Sequence, residues 1–460
     1  MDATALYRPP APKPKSTAAA IASALLFGRR DILSLLPEAA YSLLVEEAPV
    51  GKRPIFLVNM PKFVRRILIE QAEEFPKSDL MVGALTPLVG DGIFISGGET
   101  WAHQRRMIDP AFAHMRIKTA YRQMTDAVAD FEVRLDAAAA RGETLELDEE
   151  LSHLTADIVF RTIFSEPIVG EDARAVFRAF AAYQNAVPQI EPKVLLESRP
   201  WEAIPQPREV IETCGLIREK LGVLIDKRLA SGEDRDDIAG DIIRARDPET
   251  GEGFSREELI DQIAVFFLAG HETSASALTW AFFILSQRAD ALGRLREEVG
   301  RIVGDGPVEF AHTRALSFAR NVFRETLRLY PPVSFITRIA RRRIRLGQTT
   351  IPKNALVVIS PWLIHRHRRF WTDPDFFDPD RFAGERERDV KPGSYLPFGL
   401  GPRVCTGASF ATAESVLILA SIARRYDFTA VNARKIEPVG KLTTRPREPV
   451  RMRFSRRAEG

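Results

Sequence analysis

The ten residues FGLGPRVCTG, 398–407, set one of the chain's two cysteines among three glycines, a proline and an arginine. Directly after them, ASFATAESVLILASIARRY has the spaced apolar residues of an amphipathic helix. The thiol of Cys405 therefore stands at a helix N-terminus, where free N–H groups and the helix dipole favour the thiolate. Gly399, Gly401 and Gly407 let the backbone bend so that several N–H groups can face the sulfur. A thiolate held this way is a nucleophile or a metal ligand. A nucleophile needs a histidine partner, but the loop has none, and His365 and His367 sit in an arginine-rich segment. Zinc needs companion ligands at close spacing, and Cys214 with scattered histidines does not provide them. One task suits a solitary thiolate: the axial bond to a haem iron.

A second chemical stretch lies within a long helical pattern. Ser255 and Glu258 have capping-box spacing, and the pattern continues to about Gln287 without a proline. Such a helix would be about 48 Å long. Its middle, IAVFFLAGHETSASALTWAFFIL at 263–285, is apolar on nearly every face except at His271, Glu272 and Thr273. A membrane span is the simple reading of such a run, but an ionisable group at mid-bilayer is expensive. A buried core helix with a polar break fits better. Gly270 costs about 1 kcal/mol relative to alanine in a helix interior, which implies that something approaches the backbone there.

With both stretches in view, FGLGPRVCTG resembles the haem-binding signature of the cytochrome P450 family, Phe-x-x-Gly-x-Arg-x-Cys-x-Gly. Phe398, Gly401, Arg403, Cys405 and Gly407 fill its fixed positions. In the family's order, AGHET at 269–273 resembles the oxygen-activation motif, ETLR at 325–328 the E-x-x-R pair, and FDPDRF at 377–382 the segment that completes that pair. The stretch 90–112, GDGIFISGGETWAHQRRMIDPAF, is similar to the helix bearing W-x-x-x-R. The resemblance spans most of the chain.

It implies a haem b cofactor (protoporphyrin IX iron) with Cys405 as the iron ligand. Phe398, Gly399, Gly407, Ala269 and Gly270 would lie against the cofactor, and Trp101, Arg105, Arg338 and Arg403 would receive its propionates. Glu272 and Thr273 would be the acid and the alcohol that deliver protons, while His271 has no assigned part. Glu325, Arg328 and Arg381 would brace the thiolate loop. Read alone, Glu325 and Arg328 are a solvated pair contributing only about 0.2–0.5 kcal/mol. The implied reaction inserts one oxygen atom from O2 into a hydrophobic small molecule, using two electrons and two protons. A peroxide-using or rearranging haem-thiolate enzyme and a non-catalytic haem sensor or carrier are the alternatives. The Glu272–Thr273 pair argues against the enzymatic one, and an unaffected Thr273→Ala variant would favour the sensor or carrier.

These groups need a scaffold. The 460 residues carry 65 basic and 62 acidic side chains and 45% apolar residues, ordinary for a globular protein. The near-balance of charge gives no reason to expect nucleic acid. The expected fold is mainly α with a smaller β-sheet region, the cytochrome P450 fold with a long central helix crossing the haem. It is read as a single catalytic domain over 1–460, with β-rich parts near 50–60 and 335–365 and a helical body over about 100–330 and 408–425. Strand-like pieces are IFLV at 55–58, RIRL, and ALVVIS at 355–360, the last two joined by a glycine-containing turn region. The apolar run at 18–27 is too short to cross a bilayer, which takes about 20 residues, and it lacks a cleavage pattern. Two distant cysteines fit a reducing, cytoplasmic compartment, and a monomer is expected.

The stretch after Cys405 is too short for a reductase, so the resemblance implies a separate ferredoxin or flavodoxin with its reductase. The basic runs RRRIR at 341–345 and HRHRR at 365–369 could form its docking face. Residues 80–96 and 176–215 would cover a pocket apolar enough for a terpenoid, a fatty acid or an aromatic compound.

Overall fold

In the computed structural model, residues 7–20, 23, 31–48, 51–169, 171–187, 205–233 and 235–457 are described, without the side chains of residues 114, 115 and 185. Most of the apolar run at 18–27 and residues 188–204 of the expected pocket cover lie outside them. In chain order the principal helices are α1 (Asp79–Val89), α2 (Gly98–Ile108), α3 (His114–Arg141), α4 (Leu147–Phe164), α5 (Glu171–Ala186), α6 (Arg208–Ser231), α7 (Arg256–Gln287), α8 (Ala289–Val303), α9 (Ser317–Leu329) and α10 (Ala408–Arg425).

Helix α7 organises the rest. Its start is the capping box expected from the sequence: the Ser255 hydroxyl accepts from the Glu258 N–H, and the Glu258 carboxylate accepts from the Ser255 N–H at 2.8 Å. No proline interrupts its 32 residues, and it packs against α4 along one side. From Leu259 to Leu285 every residue is buried except Ala269, Gly270 and Thr273. Positions i, i+1 and i+4 lie on one helical face, so a buried helix opens at one place. One apolar core joins α3, α4, the second half of α7 and α8 to α10. Another joins α1 and α4–α6 to the first half of α7.

The strands form four small sheets. β1 (Val45–Ala48), β2 (Ile55–Val58), β7 (Leu356–Ile359) and β4 (Ile336–Ile339) lie in the order β1-β2-β7-β4, with β2 and β7 parallel and Ile55 opposite Leu356. Strand β5 (Ile344–Leu346), from RIRL, pairs with β6 (Thr349–Ile351) around Gly347 at φ +61° rather than with β7. The reason is burial: three of the four residues of LVVI are buried, so β7 needs a neighbour on both edges and takes β2 and β4. Near the C-terminus, β3 (Thr144–Glu146), β11 (Arg451–Arg456) and β8 (Tyr426–Ala430) form a sheet, and β9 (Pro438–Gly440) with β10 (Thr444–Pro446) forms a hairpin. Among the described residues, no helix is long and apolar enough to cross a membrane.

Candidate active site

The cysteine loop owes its shape to two left-handed glycines, Gly399 at φ +76° and Gly401 at φ +77°. At Gly401 a Cβ would fall 2.1 Å from the Leu68 carbonyl oxygen, so no side chain fits. The Cys405 N–H donates to the Phe398 carbonyl at 2.9 Å and closes the loop, and α10 begins three residues on. The thiol is accessible yet deep. Burial pushes it above its ordinary value, opposed by the Gly407 N–H and the Arg105 charge. Loop and helix terminus together therefore do not secure the thiolate expected from the sequence, because desolvation outweighs them. A metal cation at the sulfur would reverse that balance, since a coordinating thiol is deprotonated.

Next to the loop, cations crowd together. Arg403 stacks over the Trp101 ring, 4.5 Å to its centroid, and donates through Nη2 to the Ser96 carbonyl at 2.8 Å. Its Nη1 is buried without a partner. Arg105 donates to the Val404 carbonyl at 3.0 Å and to Asp109 at 2.9 Å. Arg338 is 8% exposed and donates to the Thr337 carbonyl at 2.9 Å. Burial pulls Arg403 and Arg338 each down to about 10, with smaller repulsion on Arg403 from Arg105 and on Arg338 from Arg403. A fifth residue escaped the sequence reading: Lys77 bridges to Arg338 in the backbone and donates to the Phe94 carbonyl. Burial first, then repulsion from Arg338 and Arg403, holds its amine well below the usual lysine range. The signal was present, since a lysine just before the Ser78 cap of α1 opposes the helix dipole. Apart from Asp109, no carboxylate bonds to this group among the described residues.

On α7 the Thr273 hydroxyl donates to the Ala269 carbonyl at 2.6 Å. A Cβ at Gly270 would fall 2.8 Å from Val159 Cγ2, so the close approach expected there is made by α4. Glu272 is buried and held by Arg445, and the Thr443 hydroxyl donates to it at 2.5 Å. Neither partner had a local sequence signal, because both come from the β9–β10 hairpin more than 170 residues away.

The third constellation is far from a solvated pair. Glu325 and Arg328 are fully buried, joined at 2.7 and 2.8 Å, and Arg381 reaches Glu325 at 3.2 Å. Arg328 also donates to the carbonyls of His365, Pro374 and Phe376, and Arg381 to those of Thr372 and Asp373. The brace grips segment 365–378 and meets the cysteine loop through one intermediary: the His365 ring accepts from the Leu396 N–H at 2.9 Å, and the Leu396 carbonyl accepts from Gly399 at 3.1 Å. His365, Arg366 and His367 are thus interior and lost to the expected docking face, whereas Arg341, Arg342, Arg343, Arg345, Arg368 and Arg369 are exposed.

Comparison with known proteins decides the family, for the cytochrome P450 model matches residues 47–454. The chain belongs to the cytochrome P450 family. Cyclooctatin synthase of Streptomyces melanosporofaciens is 33% identical over 90% of this chain and 89% of that protein. Cyclooctat-9-en-7-ol 5-monooxygenase of the same organism is 31% identical over 91% and 90%. A cytokinin hydroxylase of Arabidopsis thaliana is 28% identical over 87% and 79%. The crystal structure of the cytochrome P450DA heme domain superposes with a TM-score of 0.83 at 22% identity, covering 99% and 98% of the two chains, so the fold is shared. This P450 is an enzyme of a haem-dependent monooxygenase family. Its residues fit such a group: an accessible thiol, a partnerless buried Arg403 nitrogen, and a cluster of cations suited to two carboxylates.

Proposed function

We propose that this P450 inserts one oxygen atom from O2 into a hydrophobic small molecule, with haem b held by Cys405 and electrons brought by a separate ferredoxin or flavodoxin and its reductase. The supporting observation is the junction of the Cys405 loop with the cation cluster. When bound, the haem supplies oxygen activation, which strong donation from a thiolate favours. Arg403, Arg105, Arg338 and Lys77 hold its propionates, and Trp101 supports Arg403 from below.

With its hydrogen on the Ala269 carbonyl, the Thr273 oxygen keeps lone pairs free to order a water or accept from a proton donor. Glu272, the next residue, is the acid that replenishes the proton. Ala269 and Thr273 form the open face of α7 where reacting groups meet. The two bacterial relatives favour a cyclic, hydrophobic substrate, in keeping with the name of the second, which describes oxygenation of an unsaturated alcohol.

The carrier must come near the cysteine loop. Leu68, whose carbonyl abuts Gly401, sits about one turn after the exposed Arg65 and about two after the exposed Lys62. We assign this surface, with the exposed arginines 341–343, to an acidic carrier.

Two measurements test the reading. The reduced holoprotein with carbon monoxide should give the red-shifted band of a thiolate-ligated haem, lost in Cys405→Ala. Product should form with O2, ferredoxin and reductase; product with peroxide but none with O2, ferredoxin and reductase overturns the proposal.

A further inference from the structure

We propose that Arg445 and Gln184 are positioning residues that couple helix α5 to the Glu272 carboxylate, so that movement of α5 sets how freely that carboxylate can turn. This rests on the reading of Glu272 as the acid beside Thr273. Arg445 grips Glu272 at two points, Nε on Oε1 and Nη2 on Oε2, and Thr443 donates to the same Oε1. Nearly all of the carboxylate's bonding capacity is thereby committed to the β9–β10 hairpin.

The same Arg445 Nη2 donates to Gln184 Oε1 at 2.7 Å, and Gln184, 4% exposed, belongs to α5. The Gln184 amide nitrogen faces His271 Nε2 at 3.3 Å, while His271 Nδ1 lies 2.6 Å from the Phe267 carbonyl. Burial holds His271 below its ordinary value, so its ring is neutral: Nδ1 carries the hydrogen and Nε2 accepts. That fixes the orientation of the Gln184 amide, nitrogen to His271 and oxygen to Arg445. His271, which has no chemical part in the motif, thus anchors the amide that anchors Arg445. The circuit closes on adjacent residues of α7: Glu272, Arg445, Gln184, His271.

A buried carboxylate in a two-point pair with a part-buried guanidinium does not turn toward Thr273 unless that guanidinium gives way, because the carboxylate left alone would be an unpaired, desolvated charge. Gln184 is the part of this lock that belongs to α5. Displacing α5 removes a charge-assisted hydrogen bond from Arg445 and frees it to yield. Since α5 begins the segment read as cover for the substrate pocket, occupancy of that pocket reaches the acid through one amide and one guanidinium.

Hydrogen–deuterium exchange of the holoprotein without substrate tests the coupling. Arg445→Met should raise exchange of the α5 amides 179–186 about tenfold, with α9 unchanged, and Arg445→Lys should restore most of the protection. Glu272→Gln, which makes no hydrogen bond to α5, should loosen α5 several-fold. The double variant should add nothing to Arg445→Met, since both act through one network. Unchanged α5 exchange in Glu272→Gln, or additive effects in the double variant, overturns the proposal. If Arg445→Met loosens α9 as well, the Glu272→Gln and Arg445→Lys pair decides. Exchange is read without turnover, so a protein that fails the oxygen test can still show this coupling, and the reverse.

Discussion

Lys77 shows what a single side chain in this site is for. A buried amine beside two arginines destabilises the empty fold and has value only when anions arrive. Its folded-state pKa lies below the unfolded one, so between those two values the unfolded chain binds more protons and stability rises with pH. Lys77→Met keeps the volume and removes the charge. The apoprotein variant should therefore unfold at higher temperature than the parent, with a flatter rise in stability from neutral pH to pH ~10. Haem should leave the variant about tenfold faster in transfer to an acceptor apoprotein. Equal losses in both assays would make Lys77 an ordinary structural residue. The motif residues of this site were legible one by one, because thiol, glycines and arginines stand in fixed spacing. Arg445 was not, because it joins the site only through a hairpin distant in sequence, and the mark of Lys77 was a single local one, a lysine before the Ser78 cap of α1.

Helix α7 was readable almost to the residue, since a capping box, an unbroken apolar run and the lack of proline all act locally. The β9–β10 hairpin was not, for three-residue strands bounded by Pro438 and Pro446 leave too little alternation to detect. Gly270 was readable as a close approach, but its neighbour depends on packing: Val159 of α4. Gly270→Ala should cost about 1–3 kcal/mol by overpacking, partly offset by the better helix propensity of alanine, and adding Val159→Ala should recover most of it; thermal unfolding of the three variants checks this. Between α7 and α10, Glu414 accepts from the Ser274 hydroxyl at 2.6 Å and is pushed up to about 8 by burial, which the hydrogen bond only partly opposes. Here the folded state holds the extra proton, so stability falls as pH rises from the ordinary carboxyl range, near 4.5, to about 8. Glu414→Gln should abolish up to one proton of that slope in denaturant titrations across pH; an unchanged slope would show Glu414 ionised in the fold.

At the scale of the whole molecule, the Glu325–Arg328–Arg381 brace ties α9 to segment 365–378 and, through His365, to the cysteine loop. The sequence alone makes that pair a surface decoration; its full burial follows from carbonyls supplied some 40 residues downstream. The same packing takes His365–His367 away from the surface and leaves exposed cations elsewhere, which the proposed carrier would meet. Lys62 and Arg65 are exposed, and Arg65 Cγ would lie 3.1 Å from a Cβ at Gly393, in the stretch leading to the cysteine loop. A carrier docking there approaches the loop over a short path, and its acidic face is steered by these charges. Arg65→Glu should then raise the half-saturating concentration of an acidic ferredoxin severalfold at low salt, with the turnover rate at saturation little changed. The difference should shrink as ionic strength rises toward 1 M, where screening acts within about 3 Å. The same substitution should leave peroxide-supported turnover, which needs no carrier, as it was. A variant impaired equally with carrier and with peroxide would place Arg65 in the fold of the loop instead of on the docking face.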